Sequence, residues 1–194
     1  MTILCFGDSN TFGYDSRSHL GDRYPKEVRW TGLLAACTGW AILEAGQNGR
    51  EIPCRPWELD DLTHRARQAD ITVIMLGSND LLQSPDFQAE DVSLRMEVCL
   101  SHLLQTRAPA SLLLIAPPPM VSGSWVAGDR LPRESARLAR CYQALAQRLG
   151  TSFADAGTWQ VELLSDGVHF SPAGHRAFAN GVLPVLQSLA VRLL

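Results

Sequence analysis

Short apolar runs alternate along this chain with longer stretches whose apolar residues recur at helical spacing. The short runs lie at residues 3–6, 41–43, 71–76, 112–116 and 152–154. They are rich in aliphatic and β-branched residues, and several end in Gly, Asp or Pro, the pattern of strands buried on both faces of a parallel sheet. Between them, Val92, Met96, Cys99, Leu100, Leu103 and Leu104 share a helical face, as do Leu138, Cys141 or Tyr142, Leu145 and Leu149. A last helix is predicted to start with Ser171 as N-cap and Pro172 in its first position. Its apolar face carries Phe178, Val182, Leu186, Leu189 and Leu193, and Pro184 is expected to kink or split it. Five strands alternating with about five helices predict an α/β fold, a parallel sheet covered on both faces. Ligands on such sheets bind beyond the carboxyl ends of the strands. Two irregular stretches, residues 13–29 and 117–131, are too long for plain connectors and are expected to wall a binding site.

Composition narrows the class. At 194 residues, 46% hydrophobic and 19% charged, the chain reads as one domain, 1–194, able to bury a full core. A net charge of −3 argues against a nucleic-acid partner, which calls for a basic surplus. No apolar run reaches the roughly 18 residues of a membrane span, so no membrane partner is expected. The opening MTILCFGDSN lacks the positive region of a signal peptide, and a cytoplasmic location is expected. Five cysteines, at 5, 37, 54, 99 and 141, form no CxxC pair; Cys5, Cys99 and Cys141 sit among apolar neighbours and read as reduced core residues.

The chemistry-bearing residues fall at predicted strand ends. The first strand runs into Gly7-Asp8-Ser9-Asn10-Thr11-Phe12-Gly13. A serine there stands at the sheet's carboxyl edge and at a helix N-terminus, where backbone N–H groups can face a developing negative charge. The same residues also suit a simple capped turn. A phosphate loop fits poorly, because neither a Gly-Lys-Ser/Thr ending nor GxGxxG is present. The second strand leads into Glu44-Ala45-Gly46-Gln47-Asn48-Gly49-Arg50, and the third into Gly77-Ser78-Asn79-Asp80. Each reads as a turn on its own. Near the carboxyl end comes Asp166-Gly167-Val168-His169-Phe170. An Asp three residues before a His can accept from one imidazole nitrogen and leave the other free as a base. A metal site there lacks a third ligand. His64 and His102 read as structural, and Arg50 as packing its loop.

Taken in order, Gly-Asp-Ser, a glycine loop, Gly-x-Asn-Asp and Asp-x-x-His resemble the SGNH hydrolases, also called GDSL esterases, from Ile3 to Phe170. The resemblance implies a three-layer flavodoxin-like sandwich with a five-stranded parallel sheet, and a serine hydrolase that needs no cofactor. It implies Ser9 as nucleophile, His169 as general base and Asp166 as its orienting acid. The oxyanion donors would be the backbone N–H groups of Ser9 and Gly49 and the side chain of Asn79. Asp8 would support the loop. Asn10 stands where the family usually has Leu, and is expected to make the entrance more polar. Glu44 replaces the usual Asn of the second block. The strings Val28-Arg29-Trp30-Thr31-Gly32-Leu33-Leu34 and Ala116-Pro117-Pro118-Pro119 are similar to the arylesterase/acyltransferase branch. Asp8, Asn10, Phe12, Tyr14, Ser78, Trp125 and Val168 are the residues expected around the substrate. A short-chain carboxylic ester, whether aryl, alkyl or sugar acetate, is the expected small-molecule partner. Acyl transfer, thioester hydrolysis and a non-catalytic ligand-binding α/β module remain open at this point. So does a homo-oligomer, for which no interface is readable.

Overall fold

A computed structural model describes residues 1–18, 20 and 22–193. Five strands form one parallel sheet: β1 (Thr2–Gly7), β2 (Ala41–Gly46), β3 (Ile71–Met75), β4 (Leu112–Ala116) and β5 (Ser152–Asp155), in the order β2-β1-β3-β4-β5. The order reverses at β1, so the crevice beyond β1 is the topological switch point where ligands of such sheets bind. The helices are α1 (Ser9–Phe12), α2 (Trp30–Thr38), α3 (Pro56–Ala66), α4 (Ser78–Gln83), α5 (Ala89–Leu103), α6 (Arg130–Leu149) and α7 (Pro172–Leu193). This is the three-layer α/β sandwich expected from the alternation of runs.

Strand side chains alternate between two cores, as the period of two demands. Leu4, Phe6, Ile74, Leu76, Leu112 and Leu114 face the layer of α3, α5 and α6. Ile3, Cys5, Ile71, Val73, Met75, Leu113 and Ile115 face α2 and α7. Each fully buried aliphatic side chain contributes about 1.5–3 kcal/mol. The helical faces read from spacing are buried: Val92, Met96, Cys99, Leu100 and Leu103 on α5, and Leu138, Tyr142 and Leu145 on α6. Tyr142 satisfies its hydroxyl by donating to the Leu76 carbonyl at 3.0 Å.

Pro184 does not split α7, which runs unbroken from Pro172 to Leu193. A proline removes one helical hydrogen bond and crowds the preceding turn, at a cost of about 3 kcal/mol. Val182 on one side of it and Leu186 and Leu189 on the other are buried against the sheet, and that packing holds the helix across the defect. Cys5 and Cys99 are buried thiols as expected, Cys141 is half-buried, and all five cysteines are free.

The register brings three strand ends level. Gly7 pairs with Gly46 on one side and with Met75 on the other. The loops leaving β1, β2 and β3 therefore start side by side at one edge. Gly46 is obligatory there: a Cβ would lie 2.1 Å from the backbone nitrogen of Phe12. Its absence lets α1 settle directly on the end of β2.

Candidate active site

Ser9 opens α1 immediately after β1. Asp8 is the N-cap, and its carboxylate accepts the Asn10 N–H at 2.9 Å. Burial pushes the Asp8 pKa up to about 6, against the pull of that N–H. The cap and the left-handed Gly13 at the other end confine α1 to one turn. That turn aims the Ser9 hydroxyl at the segment before α7, where His169 Nε2 lies 3.0 Å from Ser9 Oγ. On the other side of the ring, His169 Nδ1 lies 3.0 Å from Asp166 Oδ2. All three side chains are buried.

Asp166 is held by four donors. Its Oδ1 accepts the backbone N–H groups of Val168 at 2.7 Å and His169 at 2.9 Å. Its Oδ2 accepts the Ser16 hydroxyl in addition to His169 Nδ1. Burial alone would raise this carboxyl's pKa. The Ser16 hydroxyl, the two N–H groups and the adjacent imidazole together hold it below the ordinary value. An ionised Asp166 fixes the tautomer: Nδ1 carries the proton, and Nε2 accepts from Ser9. Burial lowers the His169 pKa and Asp166 offsets this only in part, so the ring is neutral at pH 7.

Gly49 and Asn79 follow β2 and β3, whose ends lie level with the end of β1 that leads into Ser9. Gly49 has φ +72°, in the left-handed region glycine favours, with open space where a Cβ would stand. Among the described residues, no acceptor meets the backbone N–H of Ser9 or of Gly49. Asn79, at the start of α4, donates one side-chain N–H to the Arg50 carbonyl at 3.0 Å and keeps the second.

The sequence model of the GDSL-like lipase/acylhydrolase family matches residues 5–177. The chain belongs to this family. It is 33% identical over 200 residues to the GDSL lipase Rv0518 of Mycobacterium tuberculosis, an alignment covering 95% of this chain and 81% of that protein. Its fold is similar to that of the M. smegmatis aryl esterase, with a TM-score of 0.81, 27% identity, and 97% and 99% of the two chains covered. Est24, a carbohydrate acetylesterase from Sinorhizobium meliloti, gives a TM-score of 0.81 at 25% identity, over 97% and 99% of the two chains. A five-stranded α/β hydrolase of the GDSL type is thus the frame in which these residues sit.

Within this GDSL-like hydrolase, Tyr14 and Trp125 are the expected substrate neighbours that reach the crevice. Their rings stand edge-on to His169, with centroids at 4.8 Å and 4.9 Å. They come from the two irregular stretches singled out as walls. Asn10 is not at the entrance. It is buried, its Nδ2 donating to the Val168 carbonyl at 3.1 Å and its Oδ1 accepting the Phe170 N–H at 2.9 Å. Both ends of the amide are spent tying α1 to the His169 segment, which is why a polar residue occupies a usually apolar position. Val168 is also buried and belongs to the core on the α5 side. Asp8 is spent on its cap, Ser78 is buried at the start of α4, and Phe12 lies half-buried under the Arg23 guanidinium at 4.7 Å. Of these five, Asp8, Asn10, Ser78 and Val168 are buried and Phe12 is half-buried.

Glu44, at the position of the usual Asn, accepts from Thr31 and pairs with Arg23 at 2.8 Å and Arg29 at 3.4 Å, a network bracing the edge strand β2. Arg50 packs its loop, with its guanidinium 4.1 Å from the Phe6 ring and donating to the Gly7 and Ala45 carbonyls. Ser16 escaped the sequence reading. Its only signal is its place in the irregular stretch 13–29. Among the described residues, no group of three or more His, Cys, Asp and Glu is arranged for a metal, and no helix is long and apolar enough to cross a membrane.

Proposed function

We propose that this protein is a serine esterase that hydrolyses short-chain carboxylic esters, namely aryl, alkyl or sugar acetates, through an acyl-enzyme on Ser9. The observation that carries the reading is the unbroken series Ser9 Oγ, His169 Nε2, His169 Nδ1 and Asp166 Oδ2, with 3.0 Å at each hydrogen bond. Serine is a weak nucleophile until a neighbouring base removes its proton. As Ser9 Oγ bonds to the ester carbonyl carbon, His169 Nε2 takes that proton, and the ionised Asp166 stabilises the resulting imidazolium. The carbonyl oxygen becomes an alkoxide facing the N–H groups of Ser9 and Gly49 and the unspent N–H of Asn79. Each such donor lowers the barrier by roughly 3 kcal/mol. The carbon–oxygen bond to the alcohol then breaks, and His169 returns the proton to the leaving oxygen. Water repeats the sequence on the acyl-Ser9 ester and frees the acid.

The short acyl chain is supported by the Tyr14 and Trp125 rings, which crowd the crevice beside His169. It is supported as well by the likeness to proteins described as an aryl esterase and a carbohydrate acetylesterase. A fluorophosphonate probe tests the nucleophile: it should label Ser9 and fail to label the Ser9→Ala protein. A p-nitrophenyl ester series tests the chain length. Faster turnover of the dodecanoate than of the acetate rejects the short-chain assignment.

A further inference from the structure

The loop that carries Gly49 is gripped by one face of α4. Three side chains of this helix bind three backbone groups of the loop. Gln83 Nε2 donates to the Gly49 carbonyl at 3.1 Å. Asn79 Nδ2 donates to the Arg50 carbonyl at 3.0 Å. Asp80 accepts the Ile52 N–H, with Oδ2 at 3.2 Å. Asn79 and Gln83 are four residues apart, so they project from the same face of the helix and meet adjacent carbonyls. Asp80 is fully buried and is itself anchored by Arg95 of α5 at 2.9 Å, which also pairs with Glu51 at 2.7 Å inside the same loop. From the opposite side Arg50 reaches the carbonyls at the ends of β1 and β2, and its N–H closes a turn onto Gln47 at 3.2 Å.

A flexible glycine at φ +72° has no side chain to hold it, and its backbone entropy works against a fixed N–H direction. A donor aimed at a transition-state charge is effective only if it is already in place. We propose that Gln83 is a positioning residue for the oxyanion site. By fixing the Gly49 carbonyl it sets the peptide orientation of the loop, and it couples the Gly49 N–H to the Asn79 amide as a single unit with α4. The proposal rests on the esterase reading above and adds to it a residue that never touches the substrate. Gln83 is exposed, so its truncation leaves the core intact.

The test compares the unaltered protein with Gln83→Ala and Gln83→Leu. With p-nitrophenyl acetate, kcat should fall about 10-fold in both, the scale of a modest misplacement of catalytic groups, while KM stays constant. Inhibition by phenylboronic acid, whose tetrahedral adduct on a serine carries the oxyanion, should weaken by a similar factor. The melting temperature should stay near that of the unaltered protein. Gln83→Asn, which keeps the amide donor on a shorter stem, should recover part of the loss. Unchanged kcat and unchanged boronate inhibition in Gln83→Ala overturn the proposal, and so does a loss that follows a fall in melting temperature. If the unaltered protein fails to take a fluorophosphonate label at Ser9, the esterase reading falls and this proposal with it. Labelling at Ser9 with no effect at Gln83 removes the positioning role alone.

Discussion

His169 and His175 stand six residues apart, both are buried, and in both burial lowers the pKa. Their surroundings differ in kind. His169 lies in the crevice between a hydroxyl and an ionised carboxylate. His175 is packed beneath α2, where its Nδ1 accepts the Trp30 N–H at 3.4 Å and its ring meets the Tyr24 and Phe170 rings edge-on. Its Nε2 has no partner, and Arg29 adds its repulsion to the burial, pushing the pKa down to about 4. Burial alone makes a histidine neutral. In the proposed mechanism the ability to accept a proton and hand it back comes from a carboxylate beside the ring, and of these two histidines only His169 has one.

The largest test of this contrast is to delete each ring. His169→Ala should lower turnover of p-nitrophenyl acetate by ~10⁴-fold or more. His175→Gln should leave turnover near that of the unaltered protein. Comparable losses in both variants would erase the distinction.

The next effect is on stability. The folded pKa of His175 lies near 4 against an ordinary 6.5. Below pH 6.5 the unfolded chain therefore takes up a proton that the folded chain refuses. Stability at this site is full above that pH and is lost as pH falls toward 4, by up to about 3 kcal/mol. In denaturant unfolding, the difference between His175→Gln and the unaltered protein should move in the variant's favour by that amount from neutral pH to pH 4. A difference that stays constant with pH contradicts the assignment.

A third measurement separates the two rings kinetically. In the proposed mechanism hydrolysis needs neutral His169, whose pKa burial holds below the ordinary 6.5. kcat/KM should fall about tenfold per pH unit on the acid side, with its midpoint below pH 6.5. A midpoint above pH 6.5 would show that the ring is not held neutral by its site. The smallest effect is expected at Ser16. Ser16→Ala removes one of the donors that hold the Asp166 pKa down, and kcat should drop roughly 3-fold, under about 1 kcal/mol of barrier. Loss of activity as severe as that of His169→Ala would mean that Ser16 does more than steady the carboxylate.

The sheet was legible because buried strands announce themselves: short aliphatic runs have no other stable home in a chain of this length. Helices with strong faces, α5 and α6, were legible for the same reason. Helix α4 was not, because Gly-Ser-Asn-Asp has the composition of a turn, and what makes it helical is Leu81 buried beneath it together with its grip on the Gly49 loop. At Pro184 local propensity predicts a kink or a split, and the split does not occur because core contacts hold α7 together across it. At the crevice, the structure brings Ser9, His169 and Asp166 within hydrogen-bonding distance of one another in series, the grouping that the family resemblance implied. Asn10 was misplaced because a polar residue beside a serine reads as facing solvent, and only its bonds to residues 168 and 170 show otherwise. Ser16 and Gln83 are ordinary polar residues, and their bonds to residues 166 and 49 have no signature in the sequence near either end.

The hydrogen bond between Ser9 and His169 joins positions 160 residues apart. Closing so long a loop carries an entropic cost that is met only by contacts formed along the way, and topologies rich in such distant pairings fold slowly. A chain emerging from the ribosome therefore holds its serine long before it holds the imidazole that would activate it. During refolding, the return of reactivity at that hydroxyl should trail the return of helical signal, making the chemistry itself a clock for the last step of assembly.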